Sequence, residues 1–135
     1  MQKEVQKKYV ELQLLNQQIK SAQEQFILLQ QQLNELMNLE VSIIELKDIK
    51  KNSEFFSSIG SGILVSSKLT DNEHVLVNVG AGILIEKNIN EAVDLIKSQI
   101  KNVNVSLESI REQLNNAVMY SEKLTNEVNE MSLKR

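Results

Sequence analysis

The sequence predicts an α+β fold in which a long antiparallel coiled coil of two helices carries two β-hairpins at one end. Three observations lead to this prediction. Heptad-spaced apolar residues fill both ends of the chain, a central stretch changes to an alternating period, and none of the 135 residues is a proline that would break a helix. We therefore expect one domain made of a first helix (1–51), two hairpins (52–87) and a second helix (88–135).

The first helix is predicted from apolar residues that recur at alternating steps of three and four from Val5 to Ile43. Only Lys8 and Glu40 are polar at these positions, which we call the seam. The residues between them are polar and rich in glutamine, as expected of a solvated face. A spacing of about 3.5 residues sustained over many turns favours a coiled coil over a short amphipathic helix.

The second helix repeats this pattern from Val93 to Met131, with Ser121 as its polar seam residue. Either Asn88 or Asn90 is suited to cap its first turn. Because the two seams have nearly equal length, the simplest way to cover both within one chain is to fold the helices back on each other. This arrangement predicts an antiparallel helical hairpin.

The central region has the shorter period and an internal repeat. The sequence IGSGILV at 59–65 recurs as VGAGILI at 79–85, so each copy is a Gly-x-Gly turn followed by an apolar strand. The stretches 54–59 and 74–79 supply a strand before each turn. We therefore predict four short strands in two hairpins.

These hairpins are not expected to be stable alone. Four short strands cannot close a barrel, and apolar residues on both faces would remain in water. Joining hairpins from several subunits into one intersubunit β-barrel pairs the edges and buries the faces, which predicts an obligate oligomer. The residues expected at this interface are Gly60, Gly62, Ile63, Leu64, Val65, Val75, Val77, Val79, Gly80, Gly82, Ile83 and Ile85.

The free helix ends are the second predicted interaction surface. A two-stranded coil covers its seam only partly, and its ends fray most easily. Apolar side chains there can hold many non-native sequences, because dispersion and desolvation require no particular geometry. The residues expected to make these contacts are Val5, Tyr9, Leu12, Leu15, Leu124, Val128, Met131 and Leu133.

Several classes of function are not expected. The net charge is −3, and the basic residues form no stripe that could bind the phosphates of a nucleic acid. The Gly-x-Gly turns lack the third glycine and the following helix of a dinucleotide site. His74, with Asp71 and Glu73 nearby, makes a poor metal site and has no nucleophile to serve. We therefore predict no enzymatic activity, cofactor, metal or membrane contact. The absence of a signal peptide and of cysteine favours the cytoplasm.

The chain resembles the α-class prefoldin subunits over essentially its whole length. The strongest matches are IGSG at 59–62 and VLVNVGAGILIEKN at 75–88, between two coiled-coil helices; Ser58 departs from the proline that many members carry there. The resemblance implies an ATP-independent holdase chaperone in a hexamer of two α-class and four β-class subunits, which passes unfolded clients to a group II chaperonin. A coiled-coil adaptor for one defined partner, and self-assembly into a homo-oligomer or filament, remain the alternatives.

Overall fold

The computed structural model describes residues 2–133 and confirms the predicted α+β class. The chain forms two compact units, which we call the end unit (Met1–Leu33 with Asn102–Arg135) and the hairpin unit (Asn34–Lys101). Its elements in order are α1 (Gln2–Leu46), β1 (Glu54–Gly60), β2 (Ile63–Lys68), β3 (His74–Asn78), β4 (Leu84–Asn88) and α2 (Ile89–Leu133).

Burial along both helices follows the predicted seam. In α1, the half-buried residues recur at alternating steps of three and four, and the residues between them are exposed. Even the polar seam residues Lys8 and Glu40 are half-buried. No described residue of α1 is fully buried, as expected of a helix with one narrow contact face. Within residues 2–133, the buried residues all lie on α2: Ile89, Ala92, Val93, Ile96, Val103, Leu107 and Leu124.

The first helix ends at Leu46, about one turn before the predicted boundary at residue 51. Its last turn tightens, because the amides of Asp48 and Ile49 each donate to the carbonyl three residues earlier, at 3.0 and 3.2 Å. Asn52 then adopts a left-handed conformation with φ of 68°. Apolar periodicity did not indicate this helix end, because it carries no signal for the left-handed conformation of Asn52.

The second helix begins with a side-chain cap that distinguishes the two asparagines. Asn88 Oδ1 accepts a hydrogen bond from the backbone amide of Glu91 at 2.8 Å, so Asn88 is the cap. Asn90 instead accepts a hydrogen bond from Lys47 Nζ, which follows the end of α1. The last strand runs to Asn88, one residue beyond the predicted boundary at 87.

The four strands form two separate two-stranded antiparallel sheets, β1–β2 and β3–β4. Both turns have two consecutive central residues with positive φ: Ser61 (49°) and Gly62 (78°) in the first, Ala81 (51°) and Gly82 (73°) in the second. This is the pattern of a type I′ hairpin turn, which suits the twist of the strands. The sequence repeat is therefore also a repeat of backbone conformation, and the tight-turn interpretation of the Gly-x-Gly motifs is confirmed.

Between residues 2 and 133, neither helix combines the length and apolarity needed to cross a bilayer.

Candidate interaction surfaces

The first hairpin exposes apolar side chains on both of its faces. In an antiparallel pair, residues opposite each other point to the same face. Phe55 therefore shares one face with Val65, and Phe56 shares the other with Leu64. All four are exposed, and Phe56 keeps 70% of its surface in solvent. An isolated sheet of this kind has no apolar layer to pack on, so it is suited to a partner on either face.

The two phenylalanines of β1 were missing from the predicted interface, although they lie within a predicted strand. The available signal was the pair of adjacent aromatic residues at 55 and 56, in a chain with only three phenylalanines. Their positions on opposite faces become evident only from the strand register.

One face of the second hairpin lies towards the chain's own helices. Val75 and Val77 are half-buried, whereas Leu76 and Leu84 on the opposite face are exposed. A groove within the hairpin unit brings β3 together with both helices, and its lining includes Leu39, Ile43, Val75, Val77, Ala92, Leu95 and Ile96. Part of the predicted interface thus lines a groove that the hairpin shares with the chain's own helices.

The other predicted interface residues lie on the surface of the hairpin unit. Each sheet among the described residues has only two strands, so each strand has one edge without a backbone partner. The four turn glycines have positive φ and open space where a side chain would begin. Besides these glycines, the exposed members of the predicted set are Ile63, Leu64, Val65, Val79, Ile83 and Ile85.

In the end unit, three polar contacts join α1 to α2, and we call them the polar clasp. Lys8, nearest the start of α1, meets Glu127, nearest the end of α2, whereas Glu11 and Asn16 meet residues about two turns earlier in α2, which shows that the helices are antiparallel here. The contacts are Lys8 Nζ to Glu127 Oε2 at 2.7 Å, Tyr120 hydroxyl to Glu11 Oε1 at 2.7 Å, and Ser121 Oγ to Asn16 Oδ1 at 3.3 Å.

The clasp explains two polar residues in the seam. Lys8 pairs across the helices, and the hydrogen bond from Lys8 lowers the pKa of the Glu127 carboxyl and raises the pKa of the Lys8 amine. Ser121 makes a direct contact as well. A polar residue at a seam position fixes the alignment of two helices, because only one register satisfies it. Lys8 and Ser121 therefore specify register in this unit.

Most of the predicted contact residues at the helix ends face the partner helix rather than solvent. Leu124 is buried, with only 3% of its surface exposed. The half-buried members of the set are Val5, Leu12, Leu15, Val128 and Met131. Tyr9 and Leu133 are exposed. In the closed coil, therefore, only these two present most of their apolar surface to another molecule.

The end unit also exposes apolar residues that periodicity did not identify, because they lie outside the seam. Ile27, Leu28 and Val105 are exposed farther from the helix ends. Nearer to the ends lie Val10 and Leu14 on α1 and the consecutive residues Val118, Met119 and Tyr120 on α2. Three successive apolar residues on a helix cannot all face one partner, which was the available sequence signal. We call these five residues the outer apolar set.

The cluster around His74 includes an acid that the sequence analysis did not connect to it. Ligand atoms of Asp71, His74 and Glu86 lie within 4.8 Å of one another, and all three residues are exposed. Asp71 accepts hydrogen bonds from the backbone amides of Glu73 and His74 at 2.8 and 3.1 Å, and the first of these is the main cause of its lowered pKa. The turn before β3 thus accounts for the position of Asp71.

Comparisons with known proteins give one consistent family. The family model for prefoldin subunits matches residues 15–132. Prefoldin subunit alpha of Archaeoglobus fulgidus is 28% identical over 110 residues, which are 74% of this chain and 73% of the relative. Prefoldin subunit alpha of Methanococcus maripaludis is 29% identical over 99 residues, which are 73% and 67% of the two chains.

A solved structure supports the fold separately. A chain of the filamentous PFD from Methanocaldococcus jannaschii, determined by cryo-electron microscopy, superimposes with a TM-score of 0.76. The match covers 86% of this chain and 96% of the other, at 21% sequence identity. At that identity, the likeness shows that the two chains share a fold.

Proposed function

Because the chain belongs to the prefoldin family, we propose that it holds unfolded proteins, without ATP, as the α-class subunit of a mixed chaperone oligomer. The similarity to prefoldin α subunits indicates that the chain is a chaperone subunit that assembles with other subunits. The β-class partners, the stoichiometry of two α-class and four β-class subunits, the group II chaperonin as recipient and the cytoplasm as location are carried over from the family resemblance.

The observation that supports assembly most directly is the pair of isolated two-stranded sheets. A single hairpin is at best marginally stable in water, and the β1–β2 hairpin exposes apolar side chains on both faces. Hairpins of neighbouring subunits would provide both the missing edge pairing and the missing apolar contacts. We propose that this hairpin is the principal assembly surface, with Phe55 and Phe56 added to the residues named from sequence.

Client holding is proposed for the end unit. Its outer apolar set, together with Tyr9 and Leu133, offers exposed apolar surface among polar neighbours. Such a surface can bind many unfolded segments weakly while the helices remain paired. The seam residues Val5, Leu12, Leu15, Leu124, Val128 and Met131 would add to this surface wherever the coil opens.

Client holding is tested by suppression of aggregation of two unrelated proteins, guanidinium-denatured citrate synthase and rhodanese, by the assembled oligomer. The double variant Val10→Ser/Leu14→Ser should weaken protection about tenfold, since two half-exposed aliphatic side chains contribute about 1.4 kcal/mol together. Ile27→Ser is the matched control, because Ile27 is similarly exposed in the same unit.

Equal loss in the control and the double variant would contradict a specific role for Val10 and Leu14. Failure of the unmodified oligomer to protect either client would contradict the proposed function and favour the adaptor alternative.

Assembly is tested by native mass measurement of the chain alone and after mixing with a β-class prefoldin subunit. Leu64→Lys should prevent the mixed oligomer, because the lysine would place a charge on an apolar face of the first hairpin. Gln25→Lys, which adds the same side chain at an exposed position of α1 in the end unit, is the control. A chain that assembles with itself into long species would favour the filament alternative.

A further inference from the structure

Met119 is the most exposed apolar residue of the outer apolar set, with 68% of its surface in solvent. It lies on α2 between the half-buried seam residues Ala117 and Ser121, two positions from each, so its side chain projects away from α1. Packing of the two helices therefore does not account for a large apolar residue at this position. Its neighbours Val118 and Tyr120 are exposed as well.

We propose that Met119 is an oxidation site at which peroxide reversibly weakens client binding by the end unit. The inference rests on the proposed function, since it concerns regulation of the same surface. A thioether is both apolar and oxidisable, so it can contribute to a client-binding surface and also lose that role by a chemical change.

The reaction consumes one molecule of hydrogen peroxide. The sulfur of Met119 donates an electron pair to one peroxide oxygen, a sulfur–oxygen bond forms, and the oxygen–oxygen bond breaks. The departing oxygen takes up a proton from the other and leaves as water. Sulfur is oxidised by two electrons, and the side chain becomes a sulfoxide, which is polar and strongly hydrated. Burying this group against an apolar client segment is unfavourable.

The other two methionines within residues 2–133, Met37 and Met131, differ from Met119 in their surroundings. Met37 is also exposed, but it lies in the hairpin unit, whereas Met131 is half-buried in the seam of the end unit. Oxidation of Met37 should therefore leave client binding unchanged, and Met131 should react more slowly. Because Met119 lies outside the seam, its oxidation should leave the paired helices intact.

The experiment compares the assembled oligomer before and after hydrogen peroxide, with peptide mass spectrometry to locate the oxidised residues. Client binding is measured by suppression of aggregation of denatured citrate synthase and rhodanese, and helicity by circular dichroism. The unmodified protein should lose about fivefold in apparent affinity, the change expected when one exposed methionine stops contributing to an apolar contact. Treatment with methionine sulfoxide reductases for both sulfoxide epimers should restore the affinity for clients.

Three variants decide the assignment. Met119→Leu should show the same client binding before and after peroxide, whatever its starting affinity. Met37→Leu should lose client binding after peroxide as the unmodified protein does, and Met119→Gln should bind clients more weakly than the unmodified protein without peroxide. The proposal is overturned if Met119→Leu loses as much as the unmodified protein, if oxidation lowers helicity, or if Met119 remains unoxidised while binding falls. Absence of protection by the untreated oligomer would instead overturn the proposed function.

Discussion

The buried side chain of Leu124 should be the main apolar contact that keeps the two helices of the end unit paired. It is the buried residue nearest to the end of α2, with 3% of its surface exposed, and the seam residues around it on α2 are only half-buried. Replacing a buried leucine by alanine typically costs about 2–5 kcal/mol. In a thin two-helix seam we take a value of about 3 kcal/mol, because solvent can reach part of the space that is vacated.

Hydrogen exchange is the appropriate assay, because a helix end can open without global unfolding. At about 1.4 kcal/mol for each factor of ten, Leu124→Ala should accelerate exchange of the seam amides of residues 117–131 by a factor of about 150. Val105→Ala, at an exposed position of the same helix, should change exchange by less than about threefold. Acceleration below about tenfold in Leu124→Ala would refute the idea that this residue holds the end closed.

Two further predictions concern the hairpin turns and the polar clasp. Gly82→Ala should lower the denaturation midpoint of the oligomer by the equivalent of about 1–2 kcal/mol, while Ala81→Gly should raise stability by about 0.4–1 kcal/mol. Both residues have positive φ, and a side chain at Gly82 would meet no other atom, so the effect comes from the backbone; changes of the same sign would contradict this. For the clasp, Glu127 has a lowered pKa when folded, so its contribution is present above its ordinary value of 4.5 and is lost as the pH falls below it. Lys8 has a raised pKa, so its contribution is present below 10.5 and is lost only above that pH. Thermal unfolding should therefore be measured between pH 3 and 7 for the unmodified protein and for Lys8→Met. Below about pH 4.5, the unmodified protein should lose stability relative to the variant. A stability difference that stays constant with pH would exclude a stabilising contribution from the Lys8–Glu127 contact.

Much of the fold is predictable from residue spacing. The seam from Val5 to Ile43 identified each half-buried position of α1 over that stretch, because a coiled coil requires an apolar face with a fixed period. The repeat around the Gly-x-Gly turns identified both hairpins, because two consecutive residues with positive φ strongly favour glycine. The end of α1 was placed one turn too late, because backbone reversal at Asn52 has no signature in apolar periodicity.

The interaction surfaces were less predictable. Apolar residues at the helix ends suggested client contacts. Both the seam and the solvent-exposed face contain such residues, and most of those predicted to contact clients lie in the seam. Leu124 and Met119 illustrate the difference, since both are large apolar residues of the same helix segment and one is buried whereas the other is exposed. Which residues face solvent depends on the partner helix.

Residue spacing and turn chemistry were sufficient to predict the class of fold, the helical seams and the two hairpins, because these features arise within short stretches of chain. The three-dimensional structure was needed to show that Lys8 pairs with Glu127, that one face of β3 lines a groove with the chain's own helices, and that the first hairpin is apolar on both faces. These features depend on which residues from distant parts of the chain meet, and contact across such distances is fixed by packing and register rather than by local pattern.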